Sequence, residues 1–313
     1  MQQVFLGNTG IAVSKLCFGT LTMGPLQRAF SLAQALPVVE EAVTQGIDFF
    51  DTAELYDTYP LVNAVVQLQP ALKVCTKSYA YDTASAEASY RKAVEGIGRE
   101  YIDVFLLHEQ ESRHTLRGHW EALEYYIRLQ QRGLIGAVGL STHHVAAVTA
   151  ALHLPEVQVL HPILNLSGFG IQDGTRQDME QALAKAAALG KGIFAMKPLA
   201  GGHLGRSAED ALTYVWSQQY VHAVAVGMQS IAEVRWNAAF CNGYNDVDAQ
   251  AAIDVQPRQL LIHDYCTGCG RCVERCRFGA LRITENRAYV DHSKCVLCGY
   301  CATVCPDVCI KVV

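Results

Sequence analysis

Two runs of four cysteines with the same spacing lie near the end of this 313-residue chain. The first run reads Cys266-x-x-Cys269-x-x-Cys272-x-x-x-Cys276, and the second reads Cys295-x-x-Cys298-x-x-Cys301-x-x-x-Cys305. Each cysteine of the second run follows its counterpart by 29 residues, so the segment is an internal duplication. The duplication predicts a small unit that presents two equivalent sets of sulfur ligands.

This spacing is that of bacterial ferredoxins with two [4Fe–4S] clusters. Three close cysteines of each run bind one cluster, and the fourth crosses to the other cluster. The rule predicts one ligand set of Cys266, Cys269, Cys272 and Cys305. It predicts a second ligand set of Cys295, Cys298, Cys301 and Cys276. Arg277 follows Cys276 where the family usually has proline, a difference that removes no ligand.

Other uses of these cysteines explain the pattern less well. A zinc site takes four ligands and would leave half of the eight cysteines without a role. Disulfide bonds need an oxidising compartment, and the N-terminus lacks the charged and apolar segments of a signal peptide. We therefore expect a cytoplasmic protein. The remaining cysteines are predicted to be small buried apolar residues, namely Cys17, Cys75, Cys241 and Cys309.

Composition limits the other classes of function. Hydrophobic residues make up 50% of the chain, which is enough for a substantial core. No apolar run approaches the ~20 residues that a membrane-spanning helix needs. The net charge is −5 and no long basic segment occurs. We therefore expect neither a membrane nor a nucleic acid as a partner.

Before the cysteine runs, β-rich segments alternate with helical patterns. Strands are predicted at 12–19, 46–51, 72–77, 102–108, 134–141, 157–161, 192–197 and 221–227. Helical patterns include 84–98, 116–132, 179–190 and 231–239. Eight strands, each followed by a helix, over about 250 residues predict an α/β fold of the (β/α)8 TIM-barrel type. An open doubly wound sheet is the alternative, weakened because no Gly-x-Gly-x-x-Gly follows the first strand.

Two further features set the limits of the barrel. Residues 4–13 look like a β-hairpin with Asn8-Thr9-Gly10 in its turn, which would cap the bottom of the barrel. The polar stretch 245–259 is predicted to be a linker. We therefore predict a barrel domain at 1–255 and a small α+β ferredoxin-like domain at 256–313.

Polar residues follow three neighbouring predicted strands. Asp51 and Tyr56 follow the second strand, Lys77 ends the third, and His108 ends the fourth. Active sites of (β/α)8 barrels lie at the C-terminal ends of the strands. Each residue alone has a structural explanation, as a cap, a solvated loop residue or a rim histidine. Four such residues converging on one barrel mouth predict a catalytic site.

The barrel segment resembles the aldo-keto reductase family. The motifs that carry the resemblance are Leu6-Gly7-x-Thr9-Gly10, Phe18-Gly19-Thr20, Phe50-Asp51-Thr52-Ala53-Glu54-x-Tyr56, Thr76-Lys77, Asp103-x-x-x-Leu107-His108, Gly139-x-Ser141, Met196-Lys197-Pro198-Leu199-x-Gly201-Gly202 and Gly227 to Asn237. The resemblance implies a catalytic tetrad of Asp51, Tyr56, Lys77 and His108. With the cysteine runs, it points to the subgroup that carries a C-terminal two-[4Fe–4S] ferredoxin-type domain.

Reduction of a carbonyl needs a hydride at carbon and a proton at oxygen. A tyrosine with its ordinary pKa near ~10 is a poor acid or base at neutral pH. A Lys77 ammonium held by Asp51 is expected to lower the pKa of Tyr56. The expected roles are Tyr56 as acid–base, Lys77 as its tuner, Asp51 as the anchor of the lysine, and His108 as a donor to the carbonyl oxygen.

The resemblance also implies a nicotinamide cofactor, NAD(H) or NADP(H). Ser141 and Thr142, together with His161 and Asn165, match positions that hold the nicotinamide, although Thr142 and His161 replace the common asparagine and glutamine. Lys197, Leu199 and Gly201 match the loop along the pyrophosphate. The full set of predicted cofactor contacts is Gly19, Thr20, Asp51, Ser141, Thr142, His161, Asn165, Lys197, Leu199, Gly201, Gly227, Gln229, Ser230, Glu233 and Asn237.

The adenosine end favours NADH over NADPH in this interpretation. Gly227 and Glu233 stand where NADPH-preferring relatives commonly have lysine and arginine. An acidic side chain repels a 2′-phosphate but accepts a hydrogen bond from a 2′-hydroxyl. Arg235 would oppose this preference if it turned toward the nucleotide.

The two halves together predict an NAD(P)H-dependent oxidoreductase that interconverts a carbonyl and an alcohol, with the clusters as an electron relay. The alternative is an electron-transfer or redox-sensing protein whose barrel binds nucleotide without rapid turnover. Hydride carries two electrons, whereas a cluster moves one at a time. A redox partner protein or a flavin is therefore expected to connect the two kinds of chemistry.

Overall fold

The computed structural model describes residues 1–254 and 257–313. The predicted boundary between domains, at 255 and 256, lies outside the described residues and stays a prediction. The predicted (β/α)8 architecture is confirmed, and the doubly wound alternative is wrong, because eight parallel strands close into a barrel. No helix in the described part of the chain is both long and apolar enough to cross a membrane.

Eight parallel strands form the barrel wall. Their bounds are β3 (Leu16–Gly19), β4 (Phe49–Asp51), β5 (Lys73–Ser78), β6 (Ile102–Leu107), β7 (Ile135–Thr142), β8 (Val159–Pro162), β9 (Gly192–Met196) and β10 (Ala223–Gly227). The barrel closes where β10 pairs with β3, in the register Val224 with Leu16. Nearly all strand residues are buried, as expected when helices cover the outer face and side chains fill the interior.

The helices surround the barrel on its outer side. Their bounds are α1 (Leu32–Thr44), α2 (Tyr59–Leu68), α3 (Thr83–Ile97), α4 (Arg113–Gly118), α5 (Trp120–Gln131), α6 (Val145–Ala151), α7 (Arg176–Ala188), α8 (Ala208–Trp216), α9 (Ile231–Cys241) and α10 (Val247–Asp254). Several begin at a side-chain cap; for example, Asp82 accepts the Ser85 N–H at 2.8 Å at the start of α3. These caps and apolar inner faces fix the helices against the strands.

A hairpin closes the bottom of the barrel, as predicted. Strands β1 (Gln3–Phe5) and β2 (Ala12–Ser14) pair antiparallel, and Gly7–Thr9 forms a short 3₁₀ turn between them. Gly10 ends this turn with a φ of 75°, a conformation that glycine adopts without strain. Leu6 is fully buried and packs with the apolar residues of the barrel interior. Cys17 and Cys75 belong to the same interior cluster, as predicted for buried cysteines.

The segment predicted as a linker, 245–259, is not wholly irregular. It contains α10, whose Ala249 and Ile253 are buried in the main core. Asp246 accepts the N–H of Ala249 at 2.9 Å and so caps this helix. The polar residues that suggested a linker therefore serve in part as the cap and outer face of a helix.

The ferredoxin-like unit consists of two small antiparallel sheets and short helical turns. Its elements are β11 (Leu260–Ile262), α11 (Arg271–Arg275), β12 (Leu281–Thr284), β13 (Arg287–Val290), a 3₁₀ turn at Ala302–Val304 and β14 (Ile310–Val312). Strand β11 pairs with β14, and β12 pairs with β13. The duplication is visible in the structure because α11 and the 3₁₀ turn each lie at the third cysteine of a run.

The ferredoxin-like unit packs directly on the loop that follows β9. His203 Nε2 lies 3.0 Å from the carbonyl oxygen of Ile310. Gly202 has a φ of 89°, and a β-carbon at this position would lie 2.1 Å from the oxygen of Val312. The backbone of β14 therefore approaches this loop as closely as a glycine permits.

Candidate active site

The C-terminal ends of the barrel strands open into a cavity of about 970 Å³. Asp51 ends β4, Tyr56 ends a 3₁₀ turn just beyond it, and His108 directly follows β6; all three line this cavity. Lys77 projects from β5 and is fully buried. The structure thus brings the four residues of the predicted tetrad together.

A buried ion pair forms the centre of the site. Lys77 Nζ lies 2.7 Å from Asp51 Oδ1 and 2.7 Å from the carbonyl oxygen of Thr52. The same ammonium lies 4.8 Å from the centroid of the Tyr56 ring. Oδ2 of Asp51 faces His161 Nε2 at 3.6 Å. The lysine is therefore held against the tyrosine by a charge and a carbonyl oxygen.

The charges of this pair are stable at neutral pH. Burial favours the neutral acid, but the positive charge of Lys77 and the contact with His161 outweigh burial and lower the pKa of Asp51 to about 2. Burial opposes the ammonium of Lys77 as well, yet Asp51 raises the pKa of Lys77 above its ordinary value. Both groups therefore remain ionised.

The pKa of Tyr56 differs from the expectation. Burial raises it above the ordinary value, and the Lys77 ammonium offsets only part of this effect. Asp51 and Glu109 act in the same direction as burial, because a phenolate near carboxylates is disfavoured. Lys77 thus lowers the pKa of Tyr56 in the expected direction, but burial outweighs this contribution. Tyr56 is therefore a neutral phenol that carries its proton at neutral pH, although burial makes it a weaker acid than an exposed tyrosine.

His108 is a neutral imidazole enclosed by aromatic rings. Its ring stacks on Tyr79 at 4.5 Å and meets the edge of Tyr56 at 5.6 Å. Burial, followed by the charge of Lys77, lowers the pKa of His108 well below its ordinary value. Nδ1 of His108 is buried without a hydrogen-bond partner among the described residues. A buried polar atom in this state is suited to a ligand atom.

The residues predicted to hold the nicotinamide occupy two kinds of position. His161 lines the cavity, stacks on Phe194 at 3.9 Å and has Nδ1 2.7 Å from the carbonyl oxygen of Phe194. Ser141 Oγ accepts the N–H of Glu109 at 2.9 Å, and Thr142 donates to the oxygen of Gln110. These two side chains therefore fix the loop that follows β6, and their contact with a cofactor stays a prediction.

Two more of the predicted contacts support neighbouring loops. Asn165 Oδ1 accepts the N–H of Phe169 at 3.0 Å, and its amide donates to the oxygen of Phe169 at 2.9 Å. Thr20 Oγ1 donates to the oxygen of Asp51 at 3.0 Å. The other predicted contacts lie on the cavity wall, namely Gly19, Lys197, Leu199, Gly201, Gly227, Gln229, Ser230, Glu233 and Asn237.

The far end of the cavity carries one acid and two arginines. Glu233 Oε2 accepts the N–H of Gln229 at 2.6 Å, and burial raises the pKa of Glu233. Arg28 and Arg258 line the same cavity and lie close enough to act on the charge of Glu233. Arg235 instead pairs with Glu41, with Nε 2.9 Å from Oε1. No sequence motif points to the two cavity arginines, because one precedes α1 and the other follows α10.

The amide of Asn237 offers a free acceptor at this end. Its Nδ2 donates to the oxygen of Glu233 at 2.8 Å, while Oδ1 is buried without a hydrogen-bond partner among the residues described. With Nδ1 of His108, this gives two buried polar atoms without a partner beside one cavity. A nicotinamide dinucleotide, which has polar groups along its whole length, fits this distribution.

The ferredoxin-like unit contributes residues that the sequence did not predict. His263, Tyr265 and Lys311 line the same cavity as Tyr56 and His108. Tyr265 directly precedes Cys266 and stacks on His263 at 5.1 Å. Their role depends on the packing of one unit on the other, and no local motif reveals such packing.

The first predicted set of cluster ligands lies together, and three members of the second set, Cys295, Cys298 and Cys301, lie close enough for their charges to interact. Cys266, Cys269, Cys272 and Cys305 line one small cavity, with Ile283 and Ile310 as apolar neighbours. Burial, followed by the charges of Cys272, Cys295 and Cys298, raises the pKa of Cys301 to about 12. Cys276 Sγ accepts the N–H of Ala280 at 3.4 Å, and Cys266 Sγ accepts that of Ala288 at 3.5 Å.

These features fit iron–sulfur clusters. Every cysteine is a free thiol, and amide groups point at two of the proposed ligand sulfurs, as is common around such clusters. In the described ranges, no group of three or more His, Cys, Asp or Glu side chains is placed to hold a single metal ion. Of the other cysteines, Cys309 is buried with its sulfur 3.4 Å from that of Cys305, and Cys241 is half-buried.

The chain belongs to the aldo/keto reductase family, whose model matches residues 15–211. A 4Fe-4S dicluster domain model matches residues 265–309, so the chain belongs to the subgroup with a C-terminal ferredoxin-type domain. It is therefore an oxidoreductase with iron–sulfur clusters.

Individual relatives support each half. L-galactose dehydrogenase of Arabidopsis thaliana is 25% identical over 277 residues, covering 75% of this chain and 86% of the plant protein. The polyferredoxin protein MvhB of Methanothermobacter marburgensis is 33% identical over 81 residues, which are 23% of this chain and 20% of the polyferredoxin. The solved aldo-keto reductase AKR11C1 of Bacillus halodurans has the same fold, with a TM-score of 0.66 at 18% identity over 81% of this chain and 95% of its own.

The buried pair gives a testable energetic signature. Lys77→Met should lower the free energy of unfolding by about 3–5 kcal/mol, because it leaves Asp51 buried without a counter-charge. Asp51→Asn should be similarly costly, whereas the double variant should cost less than the sum of the two. Chemical unfolding followed by circular dichroism measures this coupling. Additive costs would contradict the proposed pair.

The same variants have a defined pH dependence. The folded-state pKa of Asp51, about 2, lies below its ordinary value, so the pair stabilises the wild type above about pH 4 and this is lost toward pH 2. In Lys77→Met, burial without the lysine raises that pKa. The stability difference between this variant and the wild type should therefore shrink as pH falls and Asp51 becomes protonated.

The ligand sets predict the iron content. Reconstituted wild type should hold about eight iron atoms, and Cys269→Ala or Cys298→Ala should each remove about half. Cys241→Ala, on α9, is the control and should remove none. Iron determination and electron paramagnetic resonance of the reduced protein measure these changes. Full iron content in both ligand variants would refute the assignment.

Proposed function

We propose that this protein interconverts a carbonyl compound and an alcohol with a nicotinamide dinucleotide, and that its clusters serve as an electron relay. The observation that carries the proposal is the contact of the buried Lys77–Asp51 pair with Tyr56, beside His108, on one cavity. This arrangement holds a phenol, a cation and a neutral imidazole where a carbonyl oxygen can meet them.

When bound, the reduced nicotinamide supplies a hydride to the carbonyl carbon. The Tyr56 hydroxyl gives its proton to the carbonyl oxygen, and Lys77 stabilises the negative charge that remains on the phenolate. The imidazole of His108 donates a hydrogen bond to the same oxygen and so fixes the carbonyl. In the reverse direction the Tyr56 phenolate accepts the proton of the alcohol.

The position of the ferredoxin-like unit supports the relay. Tyr265 lies on the cavity wall and is the chain neighbour of Cys266, a proposed cluster ligand. When bound, each cluster supplies one-electron transfer beside the cavity. The two clusters together can take up two electrons, the number that a hydride carries. A flavin or a redox partner protein is the proposed link between the two-electron and one-electron chemistry.

We propose NADH as the preferred nucleotide. Glu233 supports this preference because a carboxylate next to a 2′-phosphate is unfavourable. Arg28 and Arg258 act against it, since either guanidinium could bind a phosphate. The balance between the charge of Glu233 and the charges of the two arginines therefore sets the preference for NADH over NADPH.

Tyr56→Phe tests the catalytic proposal. Loss of the proton donor should lower kcat for carbonyl reduction by about 10²–10⁴-fold, with nucleotide affinity unchanged. Tyr59→Phe is the matched control, because Tyr59 is also buried but packs in the main apolar core, with its hydroxyl 2.8 Å from that of Thr76. Steady-state assays with NADH and a panel of aldehydes and ketones measure both. Wild-type turnover by Tyr56→Phe would rule out this role.

Anaerobic stopped-flow mixing tests the relay and the nucleotide preference together. With an added flavin as the link between two-electron and one-electron transfer, the cluster absorbance should bleach as nicotinamide is oxidised, faster with NADH than with NADPH. Glu233→Gln should reduce this difference, because it removes the acidic group but preserves the side-chain shape. Intact nucleotide binding without bleaching would instead support a barrel that works independently of the clusters.

A further inference from the structure

A cluster of basic side chains lies where the ferredoxin-like unit meets the barrel mouth. We call it the junction cluster; it consists of His143, Lys197 and Lys311. His143 follows β7, Lys197 follows β9, and Lys311 lies on β14 at the end of the chain. All three line the cavity that contains Tyr56 and His108. Lys311 is only 6% exposed, an unusual state for a lysine without a partner.

Short distances connect the members of the junction cluster to one loop. Lys197 Nζ lies 2.7 Å from His143 Nε2. A β-carbon on Gly201 would lie 3.0 Å from Lys311 Cδ and 3.6 Å from Lys311 Nζ. The ammonium of Lys311 therefore rests on the loop that begins with Lys197. The barrel and the ferredoxin-like unit thus each place a lysine at the loop that begins with Lys197.

Few negative groups oppose the charges of the junction cluster among the described residues: Glu109 acts on both lysines, and Cys305 and Cys309 act on Lys311. Lys311 forms no hydrogen bond or ion pair there. Glu109 is the neighbouring acid, but its carboxylate accepts the Tyr79 hydroxyl at 2.7 Å and faces His143 Nδ1 at 3.6 Å. Buried like charges repel strongly because the dielectric constant is low. A bound anion would remove this repulsion.

The electrostatics of the lysines agree with this geometry. Burial, followed by the charge of Lys197, lowers the pKa of Lys311 to about 7. Burial also lowers the pKa of Lys197. A bound anion would stabilise the charged ammonium form of both lysines. It would therefore raise the pKa of each lysine.

We propose that His143, Lys197 and Lys311 form an oxyanion site, built by both folding units, that binds a phosphate, pyrophosphate or carboxylate group. The oxygens of the bound anion would accept hydrogen bonds from the ammonium groups of Lys197 and Lys311. The resemblance already implies that Lys197 lies along the nucleotide pyrophosphate, and the new element is the second cation, Lys311 of the ferredoxin-like unit. The anion is either that pyrophosphate or an acidic group of the substrate. Only the identity of the natural anion rests on the proposed function. The binding of an anion by these side chains does not.

A different role for Lys311 makes a distinct prediction. Its charge also acts on Cys305 and Cys309, which line or adjoin the proposed first cluster site. A lysine that only balances the negative charge of a bound cluster would affect the reduction potential of that cluster. It would not affect the affinity for an anion in the cavity.

Titration of the iron-reconstituted protein with inorganic pyrophosphate, followed by calorimetry, tests the site. Lys311→Met should weaken binding by about 10- to 100-fold, the effect of one charge-assisted hydrogen bond. Lys311→Arg keeps the charge and should retain most of the affinity. Lys185→Met, which removes an exposed lysine on α7, is the matched control and should bind as the wild type does.

The outcome that overturns the proposal is unchanged pyrophosphate affinity in Lys311→Met, with or without a shifted cluster potential. Lys311→Met breaks no ion pair, so its fold and iron content should persist; both are checked before titration. Lys197→Met supplies an independent test from the barrel side and should weaken pyrophosphate binding as well. Normal binding by this variant would also refute the shared site.

Two further measurements identify the source of the anion. If the nucleotide supplies it, Lys311→Met should weaken NADH binding and change KM equally for a keto acid and its methyl ester. If the substrate supplies it, only the KM of the keto acid should rise. Pyrophosphate binding needs neither Tyr56 nor turnover, so failure of the proposed reductase activity leaves this test intact.

Discussion

The buried ion pair between Lys77 and Asp51 is the interaction on which the candidate site depends. Either charge alone would be costly inside the barrel, so each residue requires the other at a fixed separation. Adjacent parallel strands, β4 and β5, supply that separation, because Asp51 pairs with Cys75 two residues before Lys77. The pair in turn holds a cation against the ring of Tyr56. The closed barrel therefore fixes the ion pair at the centre of the site through the register of β4 and β5.

The cavity above this pair is built by two folding units with different chemistry. The barrel provides the phenol and the imidazole, and the ferredoxin-like unit provides Tyr265 and Lys311 on the same cavity. The close approach of β14 to Gly202 leaves no room for a larger residue between them. The redox unit is thus a structural part of the cavity, and its packing determines which ligands the cavity accepts.

Much of this arrangement follows from the sequence, for identifiable reasons. The cysteine spacing and the alternating strands and helices report local chemistry, and both predict the fold correctly. Asp51, Tyr56, Lys77 and His108 are predictable because strand ends converge in a closed barrel. The pKa of Tyr56 is not, because it depends on burial depth, which sequence distance does not report. The sequence does not predict the position of Lys311 on the cavity wall, because this position results from contacts between segments that are distant in the chain.

The covering of the barrel mouth by β14 has a consequence for biogenesis. Small domains organised around metal centres generally acquire their structure together with the metal. If the ferredoxin-like unit does so, a newly made chain completes the wall of its cavity only after iron and sulfide have been inserted. The barrel of an iron-starved chain would then close without one wall of its cavity. Nutrient supply would in that case control the shape of the cavity, although none of the candidate catalytic side chains binds iron.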